Sequence, residues 1–223
     1  MTNVSIIYYT NNKIRKDFAI ATQNELIKVA ADLPIITVSH KPMVFGDNIC
    51  VGEIGSLIYN IYKQIFIGAQ AAKTKYIACV EDDCLYTREH FCLQPPDDTI
   101  YYNMNRWSID PRGFYYHRRR MGMWQCVAPR QLIVDALEER FKKYPEPFAP
   151  KTPQPAEPGK HDEKFGLTPR KFQILYTNLP IVTFNHRPSM GGLRKILKTD
   201  EIKKDIPYWG NAVKLWERIY GSR

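Results

Sequence analysis

Residues 53–83, EIGSLIYNIYKQIFIGAQAAKTKYIACVEDD, contain the pattern that decides the fold. Apolar residues at positions 54, 57, 58, 61, 65, 66, 69 and 72 follow helical spacing and predict an amphipathic helix over 53–73. The next run, 76–80, is continuously apolar, which is typical of a strand buried in a parallel sheet. The stretch therefore predicts a helix and a buried strand that ends abruptly in three acids.

Two earlier strands complete this pattern. Residues 4–9 are β-branched and aromatic and precede Thr10, Asn11 and Asn12, while 33–39 form a second strand-like run after a helical pattern over 16–31. Alternation of strands and helices predicts an α/β fold, whose right-handed crossovers bring the carboxyl ends of the strands to one edge. Because ligands bind outside that edge, we expect 10–12, 39–41 and 81–83 to line one crevice.

The second half of the chain has a less regular pattern. Residues 144–160 contain six prolines and predict no regular structure, so either a disordered surface excursion or an acceptor-binding lid fits them. A short helix or turn is expected near 161–165. Strands are predicted at 99–103, 113–117, 123–127 and 181–185, and a helix at 129–143.

Composition excludes several classes of protein. Hydrophobic residues make up 44% of the 223, enough for a core, but no run of eighteen apolar residues predicts a membrane span. The N-terminus lacks the basic segment and cleavage site of a signal peptide. Five cysteines without a CxxC pair fit neither a zinc ribbon nor a disulfide framework. We expect reduced thiols in a soluble, cytoplasmic protein.

The charge of the chain favours a polyanionic partner. The net charge is +9 and the pI is near 9.2, which suits nucleic acid or a phosphorylated substrate, although solvated faces alone also produce such values. Residues 106–120 carry five arginines against one aspartate. Cations combined with a stacking surface are typical of a nucleic-acid-binding site. The candidates for such a site are Arg118, Arg119, Arg120 and Trp107. The alternative is that the aromatic residues are core and the arginines bind phosphates of a small substrate.

Three consecutive acids at a strand end, Glu81, Asp82 and Asp83, repel one another. A divalent cation relieves that repulsion, and carboxylate oxygens are the ligands that Mn²⁺ and Mg²⁺ prefer. Such an ion would bridge the diphosphate of a nucleotide-activated donor. An acidic loop that caps the following helix is the alternative.

The run IACVEDD at 77–83 resembles the DxD-type metal motif of GT-A glycosyltransferases, in the form EDD. The strand that ends in YTNN at 9–12 is similar to the donor-nucleotide strand of that fold. GKHDE at 159–163 lies where inverting members carry an acidic base, and TFNHRPS at 183–189 resembles the late strand whose histidine completes the metal shell. The order of these motifs covers nearly the whole chain. The acids of EDD are consecutive, however, and so depart from the spaced acids of DxD.

The resemblance implies a GT-A-like, Rossmann-type fold, with a mostly parallel central sheet flanked by helices and an irregular C-terminal acceptor-side region. It implies one domain over 1–223, with a donor-nucleotide-binding half (1–100) and an acceptor-side half (101–223). The implied activity is that of a metal-dependent, inverting hexosyl- or pentosyltransferase. Its donor would be a nucleotide sugar, a UDP-sugar as the first choice.

The resemblance also implies residue roles. Asp83, Glu81 and His186 would hold Mn²⁺ or Mg²⁺, and Asp162, or alternatively Glu163, would be the catalytic base. Arg194 and Lys195 follow the glycines at 191 and 192 and would fold over the donor phosphates. His40 belongs to the 39–41 segment, although it also fits a structural role, as His90 and His117 do. The candidates for donor-nucleotide binding are therefore Tyr9, Thr10, Asn11, Asn12, His40, Asp82, Arg194 and Lys195.

The basic segment favours DNA as the acceptor. Small basic GT-A-like enzymes of phages and of the base J pathway glycosylate hydroxymethylated pyrimidines, and a phage enzyme would act in the host cytoplasm. Such an enzyme reaches its base in the major groove or after flipping. A glycan or protein acceptor is the alternative within this class. Two alternatives lie outside this class. A nucleotidyltransferase usually has a glycine-rich loop after its first strand, whereas TNNKIRK at 10–16 contains no glycine. A non-catalytic nucleic-acid-binding protein is the other alternative, but three acids would repel its phosphates.

Overall fold

The computed structural model describes residues 3–117, 119–149, 152–187 and 196–221. The α-helices are α1 (Lys16–Ala30), α2 (Ile58–Ala71), α3 (Arg88–Phe91), α4 (Arg130–Lys143) and α5 (Ala212–Ile219), and 3-10 turns cover Met123–Gln125 and Glu163–Phe165. The strands are β1 (Val4–Thr10), β2 (Ile35–Ser39), β3 (Asp47–Cys50), β4 (Tyr76–Glu81), β5 (Cys84–Leu85), β6 (Thr99–Asn103), β7 (Arg106–Asp110), β8 (Phe114–His117), β9 (Cys126–Pro129), β10 (Lys171–Leu175), β11 (Ile181–Phe184), β12 (Glu201–Lys203), β13 (Asp205–Ile206) and β14 (Gly210–Asn211).

The central sheet is mostly parallel. Within the described residues it has seven strands in the order β10-β6-β9-β4-β1-β2-β3. The pairs β1–β2, β1–β4, β2–β3 and β6–β10 are parallel, whereas β9 runs antiparallel to β4 and β6. A second sheet, β12-β8-β7-β11-β5, stands beside it, and β13 pairs with β14. The predicted α/β architecture is confirmed.

Helices cover both faces of the central sheet. Ile6 and Tyr8 of β1 pack towards Leu26 of α1, whereas their neighbours Ile7 and Tyr9 pack in the cluster that contains α2 and α4. Successive side chains of a strand point to opposite faces, so a strand covered on both sides needs a continuous apolar run. The second sheet packs its own core against α5. The described part of the chain has no helix that is both long and apolar enough to cross a bilayer.

The structure corrects several predicted boundaries. Helix α2 begins at Ile58 rather than near 53, because Gly52 and Gly55 have φ values of 73° and 85°, which the helix does not allow. The strand predicted at 123–127 is a 3-10 turn followed by β9. The elements that were not predicted are the strands β3, β5, β7, β10, β12, β13 and β14 and the helices α3 and α5. Residues 154–160 of the Pro-rich segment are packed rather than a free excursion, since Pro155 and Pro158 are buried and the others are half-buried.

Candidate active site

A cleft of about 200 Å³ opens at the carboxyl edge of the central sheet. Strand β1 pairs in parallel with β2 and β4, and Tyr9 is in register with Glu81, so the strand ends lie side by side. The N-terminal end of α2 and the second sheet contribute further walls. The lining includes Tyr9, Thr10, Asn11, Ser56, Tyr62, Glu81, Asp82, Asp83, Arg106, Arg120, Trp124, Glu157 and Asn185.

The three acids occupy different environments within this cleft. The hydroxyl of Thr10 donates a hydrogen bond to Asp82 Oδ2, which ties the end of β4 to the end of β1. Asp83 Oδ2 lies 3.2 Å from Nε2 of His186, whose side chain is buried at the end of β11. The structure thus brings the predicted pair Asp83 and His186 together from positions 103 residues apart.

Electrostatic crowding at this edge is pronounced. Burial, followed by the charge of Asp83, raises the pKa of Asp82 from 3.8 to about 7, and the hydrogen bond from Thr10 and the proximity of His186 oppose that rise. A carboxyl group with a raised pKa is one whose negative charge lacks compensation. A bound cation would supply that compensation.

The donor set fits a hard divalent cation. Ligand-type atoms of Glu81, Asp83 and Cys84 lie within 4.8 Å of one another. The thiol of Cys84 is buried 3.4 Å from Asp83 Oδ1, and burial and the neighbouring acids raise the pKa of this thiol. Hard cations prefer oxygen ligands to a thiol. The carboxylate oxygens of Glu81 and Asp83 remain, which suit Mn²⁺ or Mg²⁺, and the His186 imidazole lies beside Asp83.

The donor-binding candidates are divided by the structure. Tyr9, Thr10 and Asn11 line the cleft. Asn12, at φ 57°, turns away and accepts a 2.8 Å hydrogen bond from the Lys41 amide, which joins the ends of β1 and β2. His40 is buried, with Nδ1 3.9 Å from Glu53 Oε2, and is not among the described residues that line the cleft. Arg194 and Lys195 lie outside the described residues.

The structure does not bring the predicted base to the cleft. Asp162 is buried, and its Oδ2 accepts hydrogen bonds from the amides of Gly159 at 2.8 Å and Arg170 at 3.0 Å. It lines a separate small cavity beside α4. Glu163 begins a 3-10 turn and is exposed, and neither acid is among the cleft residues in the described ranges. A carboxylate that satisfies two backbone amides is engaged in holding a turn.

The basic segment is also divided. Arg119 and Arg120 follow the end of β8 and are exposed, and Arg120 reaches the cleft, whereas Arg118 lies outside the described residues. Trp107 is 6% exposed, its indole N–H donates to Asn105 Oδ1, and Lys203 covers its ring. Trp107 is therefore a core residue of the second sheet and offers no free face to a base.

Trp124, Arg106 and Glu157 are among the cleft residues that were missed from the sequence. Arg106 is 1% exposed, and its guanidinium lies 5.4 Å from the centre of the Trp124 ring. Glu157 comes from the Pro-rich segment. Their signals in the sequence were weak: Trp124 is a tryptophan before a strand, Arg106 is an arginine within a strand, and Glu157 is an acid among prolines. Only the folded chain places them on one surface.

Comparison with solved structures places the fold. A glycosyltransferase involved in the glycosylation of the major capsid of PBCV-1 matches with a TM-score of 0.51 and 11% identity, over 81% of this chain and 92% of that chain. TarS of S. aureus in complex with UDP-GlcNAc has a TM-score of 0.42 and 10% identity, over 82% and 58%. A nucleotidyl transferase from Methanothermobacter has a TM-score of 0.40 and 13% identity, over 62% and 76%.

No protein-family model matches the chain, and no curated protein is significantly similar to it in sequence. The likeness to the PBCV-1 capsid glycosyltransferase, at a TM-score above 0.5, extends over most of both chains. The chain therefore has a mixed α/β fold of the GT-A and Rossmann type, with its cleft at the carboxyl edge of a mostly parallel sheet.

Proposed function

We propose that this protein is a metal-dependent glycosyltransferase that moves a sugar from a nucleotide-sugar donor to an acceptor hydroxyl. The observation that carries the proposal is the convergence at one sheet edge of Thr10 and Asn11, the three acids, and His186 beside Asp83. Ligands of α/β sheets bind at this edge. A UDP-sugar is the donor of first choice.

The chain's own groups supply the positions that such a reaction needs. Asp83, Glu81 and His186 would hold Mn²⁺ or Mg²⁺, which stabilises the charge on a departing diphosphate when bound. Thr10 holds Asp82 by a hydrogen bond, and Gln64 Nε2 donates to the carbonyls of Thr10 and Val38 at 2.9 Å, which fixes the ends of β1 and β2. Rigid strand ends keep the donor site in one geometry before substrate arrives.

Thermal unfolding with nucleotide and metal tests the donor site. UDP with Mn²⁺ should raise the midpoint of wild-type unfolding more than either component alone, because a ligand that binds the native state stabilises it. Asp83→Ala and His186→Ala should lose this synergy. Asp98→Ala removes a surface acid paired with Lys171 and should keep it. Synergy that survives Asp83→Ala, or transfer that persists undiminished in excess EDTA, would contradict the metal role.

Product analysis separates this function from nucleotidyl transfer. A glycosyltransferase releases a nucleoside diphosphate from a nucleotide sugar, whereas a nucleotidyltransferase releases pyrophosphate from a nucleoside triphosphate. We expect the first product, and we expect NMR of the glycoside to show inversion at the anomeric carbon. Pyrophosphate as the sole product would assign the cleft to the nucleotidyltransferases. The absence of both products would favour a non-catalytic nucleic-acid-binding protein.

As acceptor we propose a hydroxymethylated pyrimidine in DNA, on the ground that Arg119 is exposed and Arg120 lines the cleft. Log affinity for duplex DNA should fall linearly with log salt, by about 0.9 per phosphate neutralised. Joint replacement Arg119→Gln and Arg120→Gln should make that slope shallower by roughly one to two units. The joint replacement Lys142→Gln and Lys214→Gln, on exposed positions of α4 and α5, is the charge-matched control. An unchanged slope would point to a glycan or protein acceptor and leave the transferase proposal standing.

A further inference from the structure

We propose that Glu157 is the carboxylate that accepts the proton of the acceptor hydroxyl, an assignment that rests on the proposed transferase function. Glu157 lines the same cleft as Glu81, Asp82 and Asp83, although it lies more than seventy residues after them in the chain. Its side chain is 13% exposed. It is therefore an enclosed acid with access to the cleft, which neither Asp162 nor Glu163 is.

The backbone is clamped on both sides of Glu157. Nη1 of Arg140 donates to the carbonyl of Ala156 at 3.2 Å, and the hydroxyl of Tyr102 donates to the carbonyl of Pro158 at 2.8 Å. Arg140 is 3% exposed and Tyr102 is fully buried. Two buried donors on the flanking carbonyls, between two buried prolines, hold one acid in a defined position, as general-base catalysis requires.

Asp162 completes this support from behind. Its carboxylate binds the amides of Gly159 and Arg170, and the Lys160 amide donates to the Glu157 carbonyl at 2.9 Å to close the turn. Asp162 thus fixes the chain that immediately follows Glu157. The acid that resembled a catalytic base in the sequence is a positioning residue for another acid five residues earlier.

The surroundings of Glu157 favour a neutral hydroxyl as its partner. Tyr62, Met123 and Trp124 line the same cleft, and the guanidinium of Arg140 lies 3.8 Å from the centre of the Tyr62 ring. A carboxylate repels a diphosphate, so Glu157 suits the acceptor and not the donor phosphates. Its ion-pair neighbour in the described ranges is Lys160, 3.9 Å away, which is too long for a hydrogen bond that would occupy the carboxylate.

The proposed step balances as a single displacement. The acceptor oxygen forms a bond to the anomeric carbon of the donor sugar. The bond from that carbon to the diphosphate oxygen breaks, and its electron pair stays on the nucleoside diphosphate. The acceptor proton moves to Glu157, from which solvent later removes it.

Three amide variants test the assignment: Glu157→Gln, Asp162→Asn and Glu163→Gln. The assay follows UDP release from UDP-glucose, UDP-galactose and UDP-N-acetylglucosamine, with water and with hydroxymethylcytosine DNA as acceptors. Glu157→Gln should lower kcat by about a hundredfold or more, leave the stabilisation by UDP and Mn²⁺ unchanged, and remove the acidic limb of the pH–rate profile. Glu163→Gln is the matched control, because Glu163 is exposed and is not among the cleft residues in the described ranges, and it should keep the activity of the wild type. Asp162→Asn tests the positioning role: its single amide oxygen can accept both backbone bonds that Oδ2 now accepts, so any loss of kcat should be smaller than that of Glu157→Gln and should leave the acidic limb of the pH–rate profile in place.

Two outcomes would overturn the assignment. An active wild type with an equally active Glu157→Gln variant, whether or not Asp162→Asn or Glu163→Gln is inactive, would remove Glu157 from the reaction and leave the transferase intact. A wild type that releases no UDP from any of the donors would overturn the transferase and this assignment together. Glu157→Asp, which retains a carboxylate, should recover part of the rate that Glu157→Gln loses.

Discussion

Acid should destabilise this protein through His90. The side chain lies in α3 with 0% exposure, and neither ring nitrogen has a hydrogen-bond partner among the described residues. The rings of Tyr86 and Phe91 lie 5.4 and 5.3 Å from it. Burial without a partner disfavours the charged imidazolium and lowers the pKa of His90 from 6.5 to about 3.

The sign and size of the effect follow from that shift. Between pH 6.5 and 3 the unfolded chain binds a proton at His90 that the native state does not, so the free energy of unfolding falls as the pH is lowered through this window. Above 6.5 the group contributes nothing. A pH of 4 is about 2.5 units below the pKa of the histidine in the unfolded chain. The free energy of unfolding at pH 4 should therefore be about 3 kcal/mol lower than at pH 7.

Urea unfolding at pH 7, 6, 5 and 4 measures this loss. His90→Leu and His90→Gln both remove the titrating group but differ in packing. The free energy of unfolding of the wild type minus that of either variant should therefore fall by about 3 kcal/mol from pH 7 to pH 4, with a different offset for each. Acids shared by all three proteins cancel in the difference. A difference that is constant with pH, or an NMR titration of His90 near 6.5, would refute the reasoning.

Two further predictions concern the supports of the cleft. Tyr102→Phe leaves the Pro158 carbonyl without its hydrogen-bond donor, so the free energy of unfolding should fall by about 1–3 kcal/mol. The value of kcat should also fall, with the KM for the nucleotide sugar unchanged. An unaltered kcat would contradict the positioning of Glu157. A Cβ at Gly68 of α2 would lie 2.5 Å from Ile7 Cγ2. Gly68→Ala should therefore lower the free energy of unfolding, because the overpacking cost of about 1–3 kcal/mol exceeds the gain in helix propensity of about 1 kcal/mol. In an Ile7→Ala background the same change should stabilise, and additive effects in urea unfolding would contradict this contact.

Much of the N-terminal half of the fold could be predicted from the sequence. Strands covered on both faces must be continuously apolar, so β1 and β4 were visible as runs, and α1 and α2 as periodic patterns between them. Parallel pairing then required the strand ends to meet, and the hydrogen bond from Thr10 to Asp82 is a consequence. By contrast, β10 is an exposed edge strand, and its alternating residues carry no burial signal.

The sequence by itself determined the central α/β layers and the place of the acid cluster at their carboxyl edge, because backbone periodicity and strand direction are local properties. Only the tertiary structure decided which other side chains reach that edge. Trp107 and Trp124 are both aromatic, yet one is buried in the second sheet and the other lines the cleft. Asp162 and Glu157 are both acids near prolines, but their partners separate their roles. Arg140 of α4 and Tyr102 of β6 hold the backbone on either side of Glu157, whereas the Arg170 amide just before β10 binds Asp162, and contacts of that kind exist only once the chain has folded.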